Sequence, residues 1–145
     1  MLTIKTELRQ SHVHGLGVFA AEFIPAGTVV WVFQPDFDFR VSESTVAALP
    51  EVARERLLHY SAKWGGGYVI SADDSRFLNH SESPNLRTMN EPDADVAVRD
   101  IHPGEELLED YREFDETFRR RPIQAASSLV WPLLGEPVVH RLNSI

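Results

Sequence analysis

Three stretches of the chain carry the side chains that could do chemistry. Residues 76–85 read "RFLNHSESPN", with seven consecutive polar or turn-forming residues from Asn79 to Asn85 beside the apolar pair Phe77 and Leu78. Asparagine and histidine both donate and accept hydrogen bonds, so they can fix a loop through its backbone groups or hold a polar ligand. Pro84 sets one backbone angle and requires an extended residue before it. Residues 14–20 read "HGLGVFA". Glycines on either side of Leu16 let the backbone approach a ligand closely, or simply turn a corner. Residues 104–111 read "GEELLEDY", a glycine and two glutamates followed by an apolar pair and a phenol. Taken singly, each has a plain structural reading: an ordered turn, a hairpin glycine pair, and a strand ending in a core tyrosine.

Other chemistries find less support. "HGLG" lacks the third glycine that opens a helix in dinucleotide-binding turns. His12 and His14 would share one side of a strand, but no acidic or histidine partner stands at ligand spacing, so the pair is read as incidental. His59, His102 and His140 are scattered and are assigned no role. The chain has no cysteine, which excludes disulfides, thiolate zinc sites and a cysteine nucleophile.

The elements that position these residues follow from pattern and punctuation. The chain has 145 residues, 43% of them apolar and 25% charged, enough for one domain with a hydrophobic core. "LTIKTEL" alternates from Leu2 to Leu8 and predicts a strand. Val18–Ala20 and Thr28–Phe33 predict two more around the turn "IPAG". From Ser42 the chain turns helical, with Ser42 and Ser44 as candidate caps and a second helical piece from Pro50 to about Tyr60. "WGGGYVIS" returns to a strand after a glycine break. "NLRTMN" and "DVAVRDI" flank the turn "EPDA". "REFDETFRRR" reads as a helix stopped by Pro122, and the stretch to Ile145 as an irregular wrap holding Trp131. Many short strands with one helical segment indicate a mainly β, mixed domain, and no βαβ alternation supports a parallel nucleotide-binding sheet.

The net charge of −8 repels phosphates and favours a cationic partner such as a lysine-rich peptide over nucleic acid; plain solubility is the other reading of that charge. No apolar run reaches membrane-spanning length, so no membrane association is expected. The charged start "MLTIKTELRQ" resembles no signal peptide, and a cytoplasmic location is expected.

In order along the chain, "HGLGVFA", "RFLNHSESPN" and "GEELLEDY" together resemble the SET-domain family of protein lysine methyltransferases. That family's pattern is G-x-G, then R-F-x-N-H-S-x-x-P-N, then G-E-E-L-x-x-D-Y. "IPAGTVV" is similar to the turn and strand that follow the family's first motif, and "VAVRDIHPGEEL" to the approach to its last. The resemblance runs from about Leu2 to Tyr111, with residues 42–63 as a variable helical insert. It implies a mainly β, β-clip fold of several small sheets around a knot-like crossing of the second and third motifs. It divides the chain into a catalytic core, 1–111, and a segment, 112–145, that closes the site.

The resemblance also implies transfer of a methyl group from S-adenosylmethionine to a protein lysine. Gly15, Leu16 and Gly17 would lie along the cofactor, Asn79 and His80 would bind it, and Arg76 would stand in the same neighbourhood. Tyr111 would be the active-site tyrosine, orienting methyl group and amine. A phenol is mostly protonated at neutral pH, so Tyr111 is not assigned as a general base. The lysine must lose its proton before attack, so rates should rise toward alkaline pH.

Three departures from the family pattern stand out. Glu82 replaces a cysteine that relatives often give to a C-terminal zinc cluster, so no metal is expected and residues 112–145 must close the site instead. Phe114, Phe118 and Trp131 are the aromatics available there. Trp131 is the preferred cofactor contact, with a core role equally open. The segment "YVISADDSRF" is shorter than in relatives. Thr88 stands where relatives often carry an aromatic channel residue. Retention of Asn79, His80 and Tyr111 favours an enzyme. Thr88 and the altered insert favour the alternative, a SET-like module that binds cofactor or peptide with little or no transfer. The sequence sets neither the substrate protein nor the oligomeric state, a homodimer included.

Overall fold

The computed structural model describes residues 1–90 and 93–119. Among the described residues ten short strands follow in chain order: β1 (Thr6–Gln10), β2 (Leu16–Ala20), β3 (Val29–Val32), β4 (Phe39–Ser42), β5 (Ser61–Trp64), β6 (Gly67–Ile70), β7 (Asn79–His80), β8 (Leu86–Asn90), β9 (Asp93–Ala97) and β10 (Leu108–Glu109). Three short helices accompany them: α1 (Glu43–Ala48), α2 (Glu51–His59) and α3 (Glu116–Arg119). The strands build four small sheets, ordered β1-β2, β3-β9-β8, β4-β6-β5 and β7-β10. All pairings are antiparallel except β7 with β10, which is parallel.

Local chemistry accounts for most of these elements. The Ser42 hydroxyl accepts from the Thr45 N–H at 3.1 Å and caps α1, and α2 starts directly after Pro50. Gly65 and Gly66 both have positive φ, the backbone that a two-residue hairpin turn needs, and they join β5 to β6. That hairpin draws residues 61–64 into a strand, at the end of the stretch read from the sequence as a helical insert. At the start of the chain the expected strand divides. Leu2 bridges to Trp31, and regular pairing begins only at Thr6. After Tyr111 the expected helix is a 3-10 turn, Tyr111–Glu113, followed by α3. Asp110 and Asp115 cap these two pieces through the backbone N–H groups of Arg112 and Thr117.

The core gathers residues from β2, β3, β8 and β9 and from the segments that join the strands. Val18, Val30, Leu86, Ile101 and Leu107 are fully buried, and Leu78 joins them from the second motif. Against this core, residues 79–85 and 106–111 pass one another. β7 lies beside β10, and the Ser81 N–H donates to the Glu109 carbonyl at 2.8 Å. Two residues of parallel pairing cannot hold such a crossing, so side chains complete it. The Asn85 amide donates to the Glu106 carbonyl and accepts from the Leu108 N–H, both at 2.8 Å. Asn85 is 3% exposed, so water cannot replace those bonds.

Asn85→Ala would therefore leave two buried backbone groups unpaired. A loss of about 1–3 kcal/mol of stability is expected, read as a shift of the midpoint in urea unfolding. An unchanged midpoint would remove Asn85 from this role.

Candidate functional site

The first motif forms a tight loop. The Ser11 hydroxyl accepts from the Val13 N–H at 2.8 Å, and the Ser11 N–H donates to the Gly15 carbonyl at 2.9 Å. Gly15 has φ +50°, a conformation that favours glycine, and no atom lies within 4 Å of where a Cβ would sit. Gly17 is needed for a different reason. A Cβ there would stand 2.2 Å from Glu106 Oε1.

Asn79 locks this loop to the rest of the site. Its amide nitrogen donates to the carbonyls of His14 (3.1 Å) and Leu16 (3.0 Å) and to Glu106 Oε1 (2.8 Å). The other Glu106 oxygen accepts from the Ser11 hydroxyl at 2.9 Å. One buried asparagine and one glutamate thus join all three motifs.

His80 and Tyr111 interlock next to it. The Tyr111 N–H donates to His80 Nδ1 at 3.2 Å, so that nitrogen is unprotonated and the ring carries its proton on Nε2. Burial lowers the His80 pKa, outweighing the opposing pull of Asp110. The Tyr111 hydroxyl donates a short bond, 2.5 Å, to the Leu78 carbonyl. Burial raises the Tyr111 pKa, and the acidic neighbours Glu109, Asp115 and Glu106 add to it, so the phenol keeps its proton. The Phe118 ring lies tilted 4.7 Å from the His80 ring and edge-on 5.7 Å from that of Tyr111, and Phe114 also lies 5.7 Å from Tyr111.

These groups line a cavity of about 600 Å³, within the range that holds a mid-sized ligand. Gly15, Leu16, Arg76, Asn79, His80 and Tyr111 all contribute to its wall. Gly17 is not among its lining residues; it makes room for Glu106. Trp131 lies outside the described residues, as does the rest of the closing segment beyond residue 119. Phe114 and Phe118 from its described part line the cavity. Among the described residues no group of three or more His, Asp or Glu could hold a metal ion.

One part of the site was not singled out from sequence. Asp95 and Glu109 line the same cavity and are only 4% and 7% exposed. Asp95 stands opposite both Trp31 and Thr88 in the β3-β9-β8 sheet and accepts from the Thr88 hydroxyl at 2.8 Å. Burial pushes Asp95 up to about 6, and burial together with the Asp95 charge pushes Glu109 well above the usual carboxylate range. The two carboxyls hydrogen-bond each other, so the pair shares a proton between them. Strand alternation held the signal for Glu109. It sits two residues from the buried Leu107 and so falls on the same side of the chain.

Residues 15–112 match the family model described as the SET domain. The chain belongs to the SET-domain family. Histone-lysine N-methyltransferase TRX1 of Oryza sativa subsp. japonica is 30% identical over 121 residues, which take in 71% of this chain and 11% of that protein. The chain thus spans about a tenth of the curated relative it matches. A candidate histone methyltransferase of Plasmodium falciparum shares the fold, with a TM-score of 0.54 at 19% identity over 76% of this chain and 95% of that one. A humanized mutant of the Chaetomium thermophilum Polycomb Repressive Complex 2, bound to an inhibitor, superposes with a TM-score of 0.57 at 25% identity, covering 80% of this chain and 16% of that one. The small sheets and the crossing of the second and third motifs are those the resemblance implied.

The acid pair sets a pH dependence of stability. Both carboxyls bind their proton more tightly folded than unfolded, so this contribution is fully present below the ordinary carboxylate range. It is lost as pH rises through about 6 and beyond. Asp95→Asn keeps an acceptor for Thr88 and gives Glu109 a permanent donor. The variant should therefore gain on the wild type as pH rises from 4 to 8 in thermal unfolding. A constant gap across that range would contradict the assignment.

Proposed function

We propose that this SET domain transfers a methyl group from S-adenosylmethionine to the side-chain amine of a lysine in a protein or peptide. The observation that carries the reading is the junction of the three motifs at one cavity, with the Tyr111 phenol held protonated against the Leu78 carbonyl. The cavity fits the cofactor. It has the volume, a glycine backbone open on one side at Gly15, aromatic surface from Phe77, Tyr60 and Trp64, and carbonyl and carboxyl oxygens suited to a sulfonium. S-adenosylmethionine supplies the electrophilic methyl group when bound.

The chain's own residues do the rest. The Gly15–Leu16 backbone and His80 would hold the cofactor, with Arg76 at the rim. The Asn79 amide nitrogen is spent on the 14–16 loop, so its side chain supports the binding surface and leaves its oxygen free for a ligand. Tyr111 and the Leu78 carbonyl would orient the amine for in-line attack, where positioning dominates the rate. Phe114, Phe118 and the segment beyond them would cover the site and keep it dry. The partner would be a lysine-rich protein, drawn by the net charge of −8. A cytoplasmic location and the absence of direct nucleic-acid or membrane binding complete the reading. Among the described residues no helix is long and apolar enough to cross a membrane.

The alternative, a SET-like module that binds without transferring, is favoured by Thr88 at a position where an aromatic would narrow the channel. Calorimetry with S-adenosylmethionine should give one-to-one binding that survives a chelator. Mass spectrometry of basic proteins incubated with cofactor should then show mass gains of one or more methyl groups on lysine. Tyr111→Phe should slow transfer by roughly 100-fold or more while leaving cofactor affinity within a few fold. Full activity in that variant would refute the role given to Tyr111. Cofactor binding without transfer to any basic protein would support the binding module.

A further inference from the structure

We propose that Asp95 and Glu109 form an acidic floor to the substrate channel that receives a lysine side chain as its ammonium ion and takes one proton from it. This rests on the lysine-directed reading above and adds the group that prepares the amine.

Attack on a methyl group needs the nitrogen lone pair, which an ammonium lacks. Tyr111 cannot supply it, because its phenol keeps its proton. The other acceptors at the cavity wall are already engaged or stand on other elements of the wall. His80 Nδ1 is filled by the Tyr111 N–H. Asp115 accepts from the Thr117 N–H and hydroxyl and from the Phe118 N–H. His14 and His59 belong to the first-motif loop and to α2. Asp95 and Glu109 remain. Glu109 lies two residues before Tyr111, and among the acidic neighbours it acts most strongly on the phenol.

Two observations beyond the acids themselves point to a ligand. The Glu109 carboxyl is more than nine-tenths buried and faces the cavity, and among the described residues only the Asp95 carboxyl bonds to it. The Trp31 indole N–H, in the cross-strand row with Asp95 and Thr88, is buried without a hydrogen-bond partner among the described residues, and Trp31 lines the same cavity. A row with surplus acceptors and one surplus donor is a polar socket. Its indole face also suits a cation.

The step balances within the site. One N–H bond of the ammonium breaks, and its electron pair stays on nitrogen as the lone pair. An O–H bond forms on the ionised carboxyl of the Asp95–Glu109 pair, while the other carboxyl keeps the proton the pair already shares. The proton returns to water when the methylated product leaves. The acidities suit this exchange. Asp95 at about 6 is a better base than an ordinary aspartate, and once water is displaced the neutral pair of amine and acid is favoured relative to the buried ion pair, which draws the proton across. The groups facing the pair are Glu113 and Tyr111 from the 3-10 turn, the Thr88 hydroxyl, and at longer range the amino terminus. Glu113 raises both carboxyls, and the amino terminus slightly lowers Asp95.

The test uses the full chain and small mimics of the lysine tip. At pH 8, n-butylammonium should bind at least 10-fold more tightly than n-pentanol, and more tightly than butyltrimethylammonium, which has no N–H to donate. The double variant Asp95→Asn with Glu109→Gln should bind all three alike. Carbon-13 spectra of the wild-type Asp95 and Glu109 carboxyls should shift on adding n-butylammonium, a readout that does not depend on the variant folding. Equal affinities in the wild type, a cation preference that survives in the double variant, or unmoved carboxyl resonances would each overturn the proposal. Methyl transfer without cation preference would overturn the acidic floor and leave the function standing. Cation preference without methyl transfer would do the reverse.

Discussion

The structure depends on two buried asparagine side chains where the second and third motifs cross. A crossing of irregular segments strands backbone groups that no sheet ladder can satisfy. Asn85 carries both halves of an amide to the backbone of residues 106–108, and Asn79 gives its nitrogen to the 14–16 loop and to Glu106. Buried amides of this kind have few substitutes. An aspartate would offer no donor, and a serine could not span two backbone groups. Everything the cavity needs follows from this junction. It sets the path of the loop at Gly15, the register of β7 on β10, and the approach of Tyr111 to His80.

Rigidity at the junction has a functional consequence. His80 and Tyr111 hold each other by a backbone-to-ring bond and a ring contact, and Phe118 packs on both. The tautomer of His80 and the direction of the Tyr111 hydroxyl are therefore fixed before any ligand arrives. A site that works by positioning gains most from such preorganisation. The covering aromatics, by contrast, come from short pieces after Tyr111 whose caps are single aspartates, Asp110 and Asp115. Their place against the cavity rests on ring packing more than on backbone ladders. That division suits a firm floor under a more adjustable cover.

Much of the fold and part of the site were legible in the sequence, for reasons visible in particular residues. Ser42 and Pro50 announce α1 and α2 because caps are local. The order of "HGLG", "RFLNHSESPN" and "GEELLEDY" fixes the family, and most of the motif residues named from it line one cavity. What the sequence hid is non-local. Leu2 alternates as if part of one strand, yet it pairs with Trp31, 29 positions away. Gly17 reads like Gly15, but its constraint is the carboxylate of Glu106, brought from far along the chain. Asp95 in "DADVA" shows nothing of its burial in the sequence, because that comes from β9 lying between β3 and β8.

The three glutamates of the last motif show how position decides what a carboxylate becomes. Glu105 meets Arg99 at 2.7 Å and the His102 N–H at 2.6 Å, so its donors hold it charged and it closes a surface turn. Glu106, one residue on, points the other way and meets the Asn79 amide and the Ser11 hydroxyl, which makes it a clamp. Glu109 is buried like a core residue, but what meets it is a second acid. A carboxylate surrounded by donors is stable as it stands and has no reason to change its proton. One whose neighbour is another carboxyl, with both buried, is poised to exchange. The same residue type thus serves turn, scaffold and chemistry within five positions, and the difference lies in which donors the fold brings to each.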